Sequence, residues 1–159
     1  MIDSVHKAAL RARFADVLCA RRDTLLAARD DARAGTRVDG THRPENRGER
    51  GAVSAQGYLA HGLTARMAEL DVMLEALEQV AAGPCDRLVS GALALVCDES
   101  EVLQLLYVLP GGQGDRIDDV IVVSPRAPVV QALAGAQAGD VRQVRRGDRL
   151  EWVEVLEVR

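Results

Sequence analysis

The chain has 159 residues, 48% apolar and 28% charged, with a formal net charge of −4, which suits one ordinary domain or an elongated module joined to a small one. Only four aromatic residues occur, Phe14, Tyr58, Tyr107 and Trp152, so Leu, Val, Ile and Ala must form the core, and few stacking surfaces remain for bases or sugars. Residues 1–83 hold 12 Arg and Lys against 12 Asp and Glu, and residues 84–159 hold 8 against 12; no basic stripe marks a general nucleic-acid binder.

The first segment predicts a helix capped by Asp3 or Ser4 and running to about Ala34. Its apolar positions Leu10, Phe14, Val17, Leu25 and Ala28 step by threes and fours, interrupted by Arg21, and so define one narrow face. About thirty helical residues rise roughly 45 Å, longer than a small globule is wide. The stretch from Gly35 to Gly51 then breaks the helix with four glycines and Pro44. Helical periodicity resumes beyond it, with Pro44 tolerated in a first turn and Asn46 to Glu49 spaced like a capping box. The second helix opens at Glu45 or Asn46 and keeps a seam through Val53, Leu59, Leu63, Met67, Leu70, Leu74, Leu77 and Ala81, with Gly83-Pro84 as its stop. Two such helices joined by a charged turn predict an antiparallel coiled-coil hairpin over 1–83, with its tip near 36–51.

After Pro84 the pattern changes to short strands. Residues 92–97 and 102–108 read as a hairpin about the polar turn Asp98-Glu-Ser-Glu101. Residues 120–123 form a buried strand, a short helix follows through Leu133, and 141–144 and 150–158 complete an antiparallel sheet in which Trp152, Val155 and Val158 alternate less strictly than an ideal strand requires. Five strands and one helix make a compact α+β unit over 84–159. The cluster Gly111-Gly-Gln-Gly114 leads into a strand rather than opening a helix, so it reads as a sheet turn and not as a phosphate loop. Cys19, Cys85 and Cys97 are too widely spaced for a disulfide framework or a zinc site and are expected as buried, reduced thiols. His6, His42 and His61 are scattered, and no cofactor or stably bound metal is expected. The opening residues are amphipathic rather than continuously apolar, and no run approaches the ~20 residues of a membrane span. A cytoplasmic protein without a membrane partner is the expectation.

The segment Val122-Val-Ser-Pro-Arg-Ala-Pro-Val-Val-Gln-Ala-Leu-Ala-Gly-Ala-Gln-Ala-Gly-Asp140 resembles the C-terminal signature of the Gre family of bacterial transcription elongation factors. Ser124 and Pro125 open the segment, and Pro128, Ala132, Leu133, Gly135, Gly139 and Asp140 fall at the family's spacing; Ala127 stands where the family has serine. Pro44-Glu45-Asn46 is similar to the family's acidic tip. The resemblance implies a coiled-coil hairpin followed by an FKBP-like domain, and a partner, bacterial RNA polymerase. The FKBP-like domain would dock on the rim of the secondary channel, and the hairpin would enter it. Such factors are not enzymes of their own; tip carboxylates help the polymerase hold a second Mg²⁺ and cleave backtracked RNA, because Mg²⁺ takes hard oxygen ligands. Contact with nascent RNA would be indirect, and a monomer is expected.

The tip residues carried over are Asp39, His42, Glu45, Asn46 and Glu49, with Glu45 nearest to a role at the polymerase Mg²⁺. His42 stands where the family has an acid, and Gly48 and Glu49 stand where it has an acidic-aromatic pair. Arg37, Arg43, Arg47 and Arg50 surround the carboxylates and compete with a metal for them. This mixed charge keeps a second reading open, an inhibitor of the Gre type or a DksA-like regulator that binds the channel without stimulating cleavage. A prolyl isomerase would need an aromatic-lined pocket, for which 84–159 offers only Tyr107 and Trp152. A coiled coil that merely dimerises is the remaining alternative.

Overall fold

The computed structural model describes residues 4–36, 47–81 and 83–159. They form two long helices, α1 (Ser4–Ala34) and α2 (Arg47–Glu78), then strands β1 (Leu93–Asp98), β2 (Leu103–Val108), β3 (Gln113–Ile117) and β4 (Val120–Val123), helix α3 (Pro128–Ala132), and strands β5 (Val141–Arg146) and β6 (Arg149–Val158). The chain divides into two compact units, one of residues 1–16 with 73–159 and one of residues 17–72.

In the unit of residues 17–72 the two helices run antiparallel: Arg22 Nε meets Asp71 Oδ1 at 2.7 Å, and Gly35 lies against the Gln56 side chain. Leu18, Ala32, Ala60 and Met67 are the buried apolar residues among those described in it. Ala60 and Met67 are one heptad apart, and Leu63 and Leu70, three residues beyond each, are half-buried, which is the two-position seam of a coiled coil. The expected seam holds at Leu25, Leu63, Met67 and Leu70 and departs locally in each helix. Leu18 is buried where Val17 was placed, Ala60 is buried while Leu59 faces solvent, and Ala28 is exposed. A narrow helix–helix contact needs short side chains at closest approach, so Ala60 takes the inward position that a hydrophobicity count assigns to Leu59.

The other unit carries the sheet, in the order β3-β4-β2-β1-β6-β5. All neighbours pair antiparallel except β2 and β4, which are parallel. The fully antiparallel five-strand expectation is corrected in two places, since β3 is a sixth strand and β4 returns between β3 and β2. One sheet face packs on α3 through Ala94, Val96, Leu106, Val108, Val130, Leu133, Val144, Val153 and Val155. Val153 and Val155 therefore point inward, and Trp152, which alternates with them, points to solvent. The glycine cluster serves the β2–β3 connection: a Cβ on Gly112 would lie 2.7 Å from the Val123 carbonyl carbon, so only glycine lets the two backbones approach.

Here α1 and α2 meet the sheet at their ends. Helix α2 stops at Glu78, short of Gly83-Pro84, and Val80 N–H closes a tighter turn on Leu77 O. Carbonyls of the segment that follows it are taken by cationic side chains of α1. Arg11 donates to Val80 O, and Lys7, the one lysine of the chain, donates to Gly83 O at 2.9 Å and to Arg159 O at 3.0 Å. Lys7 is 1% exposed, and its own carbonyl accepts the Tyr107 hydroxyl at 3.2 Å. Burial pushes the Tyr107 hydroxyl above the usual phenol range. Arg13 forks onto both oxygens of Asp118 in the β3–β4 turn. Among the described residues no buried side-chain nitrogen or oxygen lacks a hydrogen-bond partner, as the cost of an orphaned polar group demands.

Candidate functional site

Two groups of residues are candidates, the hairpin tip and the C-terminal signature. Asp39, His42, Glu45 and Asn46 lie outside the described residues. Glu49 lies in the first turn of α2, half-buried, where a carboxylate is favoured by the helix's unpaired N–H groups. Arg47 and Arg50 beside it are exposed.

The signature folds as a single continuous device. Ser124 Oγ accepts the Arg126 N–H at 3.1 Å, and Ser124 O accepts the Ala127 N–H, making the turn that leaves β4. Ala127 then stands at the N-cap of α3 with extended backbone (φ −61°, ψ 138°) and no side-chain cap, and Pro128 takes the first helical position, where its missing N–H costs nothing. Leu133 is wholly buried in the core and Ala132 packs against its edge. Gly135 (φ 71°) and Gly139 (φ 91°) occupy left-handed conformations that a side chain would strain. Gly135 N–H donates to Leu88 O, and Gly139 N–H donates to Val155 O at 2.7 Å, tying the exit of α3 to the rest of the unit. The Asp140 carboxylate accepts the Gln137 N–H and pairs with Arg142, both at 3.2 Å. The Gln137 bond, then Arg142, holds its carboxyl below the usual carboxylate range.

The signature residues are therefore brought together, but mostly as framework. Leu133, Gly135, Gly139 and Asp140 set the path of the chain, and what they leave to solvent is Arg126, Pro128 and Gln131 around the start of α3. No metal-binding group of three or more His, Cys, Asp or Glu occurs among the described residues, and no helix among them is long and apolar enough to cross a membrane. Cys19 is exposed and Cys85 and Cys97 are half-buried, all three free, so the expectation of buried thiols is corrected. The helical periodicity that located Cys19 gives no facing partner, and its position between seam residues turns it outward.

Two surface features escape the sequence reading. On α2, Ser54, Gly57, Tyr58 and His61 line an open depression, and Tyr58 is 80% exposed. The i, i+3, i+4, i+7 spacing of these four was the available signal. On the sheet, Cys97, Asp98, Glu99, Val141, Trp152 and Glu154 line a second depression. Nothing in one dimension joins them, because they come from three strands.

No family model matches the chain, and no curated protein matches it. Among solved structures it is similar to that of the transcription factor Gfh1, at 17% identity and a TM-score of 0.41, over 93% of this chain and 92% of that one. It is similar to GreA factor homolog 1 (Gfh1) of Thermus thermophilus at 14% identity and a TM-score of 0.40, over 91% and 94% of the two chains. It is similar also to the prokaryotic transcription elongation factor GreA/GreB from Nitrosomonas europaea at 20% identity and a TM-score of 0.36, over 56% of this chain and 78% of that one.

Proposed function

We propose that this chain is a Gre-type factor that binds bacterial RNA polymerase at its secondary channel and modulates backtracked or paused elongation complexes. The observation that carries the reading is the C-terminal signature, whose Pro128, Leu133, Gly135, Gly139 and Asp140 each meet a structural demand of the α3 segment, in a chain that opens with two antiparallel helices. Both halves of the Gre pattern occur in the right order. Acting inside another protein, the chain needs no catalytic residues of its own. Glu45 is the carboxylate assigned to the polymerase Mg²⁺, and the metal belongs to the polymerase.

A second reading rests on a specific feature. Arg47 and Arg50 stand exposed at the start of α2, beside Arg37 and Arg43 of the sequence, so the tip carries cations where metal recruitment calls for anions. On this reading the protein occupies the channel and inhibits or tunes transcription without stimulating cleavage.

Cleavage of a stalled, backtracked elongation complex from the matching bacterium separates the two. Release of short 3′ RNA that disappears with Glu45→Ala establishes a cleavage factor. Competition with a standard Gre factor for the polymerase, without cleavage, establishes the tuning factor. Neither cleavage nor competition overturns the polymerase reading.

A further inference from the structure

The solvent face of the sheet carries a depression of about 180 Å³ lined by residues of three strands and the turn after β1. The β1–β6 register sets Cys97 opposite Glu154, and the β5–β6 register sets Val141 opposite Glu154, so these three form one row across the strands. Trp152, the chain's sole tryptophan, stands two residues along β6 on the same face and is 49% exposed. The three carboxylates are not equivalent. Asp98 is occupied, accepting the Ser100 and Val102 N–H groups and pairing with Arg146. Glu99 accepts the Trp152 N–H through one oxygen at 2.8 Å. Glu154 is exposed, and among the described residues no ion pair or side-chain hydrogen bond holds its carboxylate.

An exposed indole lining the same depression as an unpaired carboxylate selects for cations. The negative π-face attracts a guanidinium or ammonium, and the carboxylate accepts its charge-assisted hydrogen bonds. An anion would be repelled, and a neutral group would desolvate Glu154 without compensation. Size narrows the occupant further, since pockets for small molecules run to roughly 300–1,000 Å³, whereas this one fits a single side chain. Leu103, Leu150 and Leu156 extend the exposed apolar surface around it. A buried anchor surrounded by an apolar and polar rim is the anatomy of a protein–protein contact.

We propose that this depression is a docking surface for a protein partner that inserts an arginine or lysine side chain between the Trp152 indole and the Glu154 carboxylate. Arginine suits it better, because its planar group both stacks on an aromatic face and binds a carboxylate in two-point fashion. The inference stands apart from the polymerase reading, since it uses no residue of the tip or of the signature's exposed turn.

The test titrates the full chain with a helical alanine-based peptide bearing arginines on one face, and with the same peptide bearing neutral, isosteric citrulline, while reading Trp152 fluorescence. The expected result is a saturable change with the arginine peptide and an affinity at least about tenfold weaker, or about 1.4 kcal/mol, with citrulline. Glu154→Gln weakens binding by a similar factor, whereas Glu75→Gln, on exposed α2 surface, leaves it unchanged and controls for net charge. Bound peptide also slows alkylation of Cys97 but not of exposed Cys19. Equal response to the two peptides, no response, or binding that survives Glu154→Gln overturns the proposal. A fluorescence change that follows protein concentration without peptide, and vanishes with Arg145→Glu on the same sheet face, assigns the surface to a second copy and likewise overturns it.

Discussion

The two units of this chain are stabilised in different ways. Among the described residues of 17–72 the buried apolar side chains are Leu18, Ala32, Ala60 and Met67, two of them alanines, and an exposed Arg22–Asp71 ion pair adds little. The sheet unit buries a three-dimensional core in which leucines and valines from five strands and α3 interlock. A two-helix seam can slide or repack along its length, while a sheet-and-helix core accepts one arrangement. The hairpin is therefore the element whose sequence can change most freely, and the sheet unit is the rigid part.

Core truncation tests this contrast with the largest effect. Leu133→Ala, at the centre of the sheet core, is expected to cost roughly 2–5 kcal/mol in urea unfolding. Met67→Ala, on a seam with one open side, should fall at or below the bottom of that range, because water and neighbouring side chains refill the gap. Equal costs would break the comparison. Gly112→Ala comes next. Its Cβ would meet Val123 backbone, which cannot rotate away, so a loss of about 1–3 kcal/mol is expected, read as a lowered unfolding midpoint with the hairpin's helical signal retained.

The third effect is a gain. Ala127 has the extended geometry of an N-cap but no oxygen to offer; Ala127→Ser is expected to stabilise the sheet unit by about 1 kcal/mol, raising its melting temperature. An unchanged midpoint would show that the α3 N-terminus is satisfied otherwise. The smallest effect is electrostatic. The Arg13 hydrogen bond, foremost, holds the Asp118 carboxyl below the usual carboxylate range. A folded pKa below the unfolded value of about 3.9 means the contribution is fully present above that value and is lost as pH falls through the folded one. Both partners are more than half exposed, so the contribution is small. The midpoint difference between the chain and Asp118→Asn should thus be constant near neutral pH and shrink in acid; a difference that grows in acid would contradict the pairing.

Much of this architecture is readable from the chain. The end of α1 at Ala34, the capped turn after Asp98 and the proline at the start of α3 follow from local rules, because each depends on residues within one turn. Reading failed where a choice depended on what lies opposite. Val17 against Leu18 and Leu59 against Ala60 are decided by the facing helix, and the parallel β2–β4 pair needs β3 to swing outside it. The signature was legible as a string, but its division into framework and exposed surface was not. Leu133 and Asp140 look alike as motif positions until the core and the Gln137 N–H are placed around them.

The sequence by itself determined the two long helices, the charged break between them and the succession of strands apart from β3, since periodicity and glycine or proline punctuation act over a few residues. Only the tertiary structure decided which α1 side chains hold the carbonyls that follow α2, and that two strands distant in sequence gather Cys97, Trp152 and Glu154 into one depression. Those contacts join residues more than fifty positions apart, and such long-range contacts are set by packing and register, which no local pattern encodes.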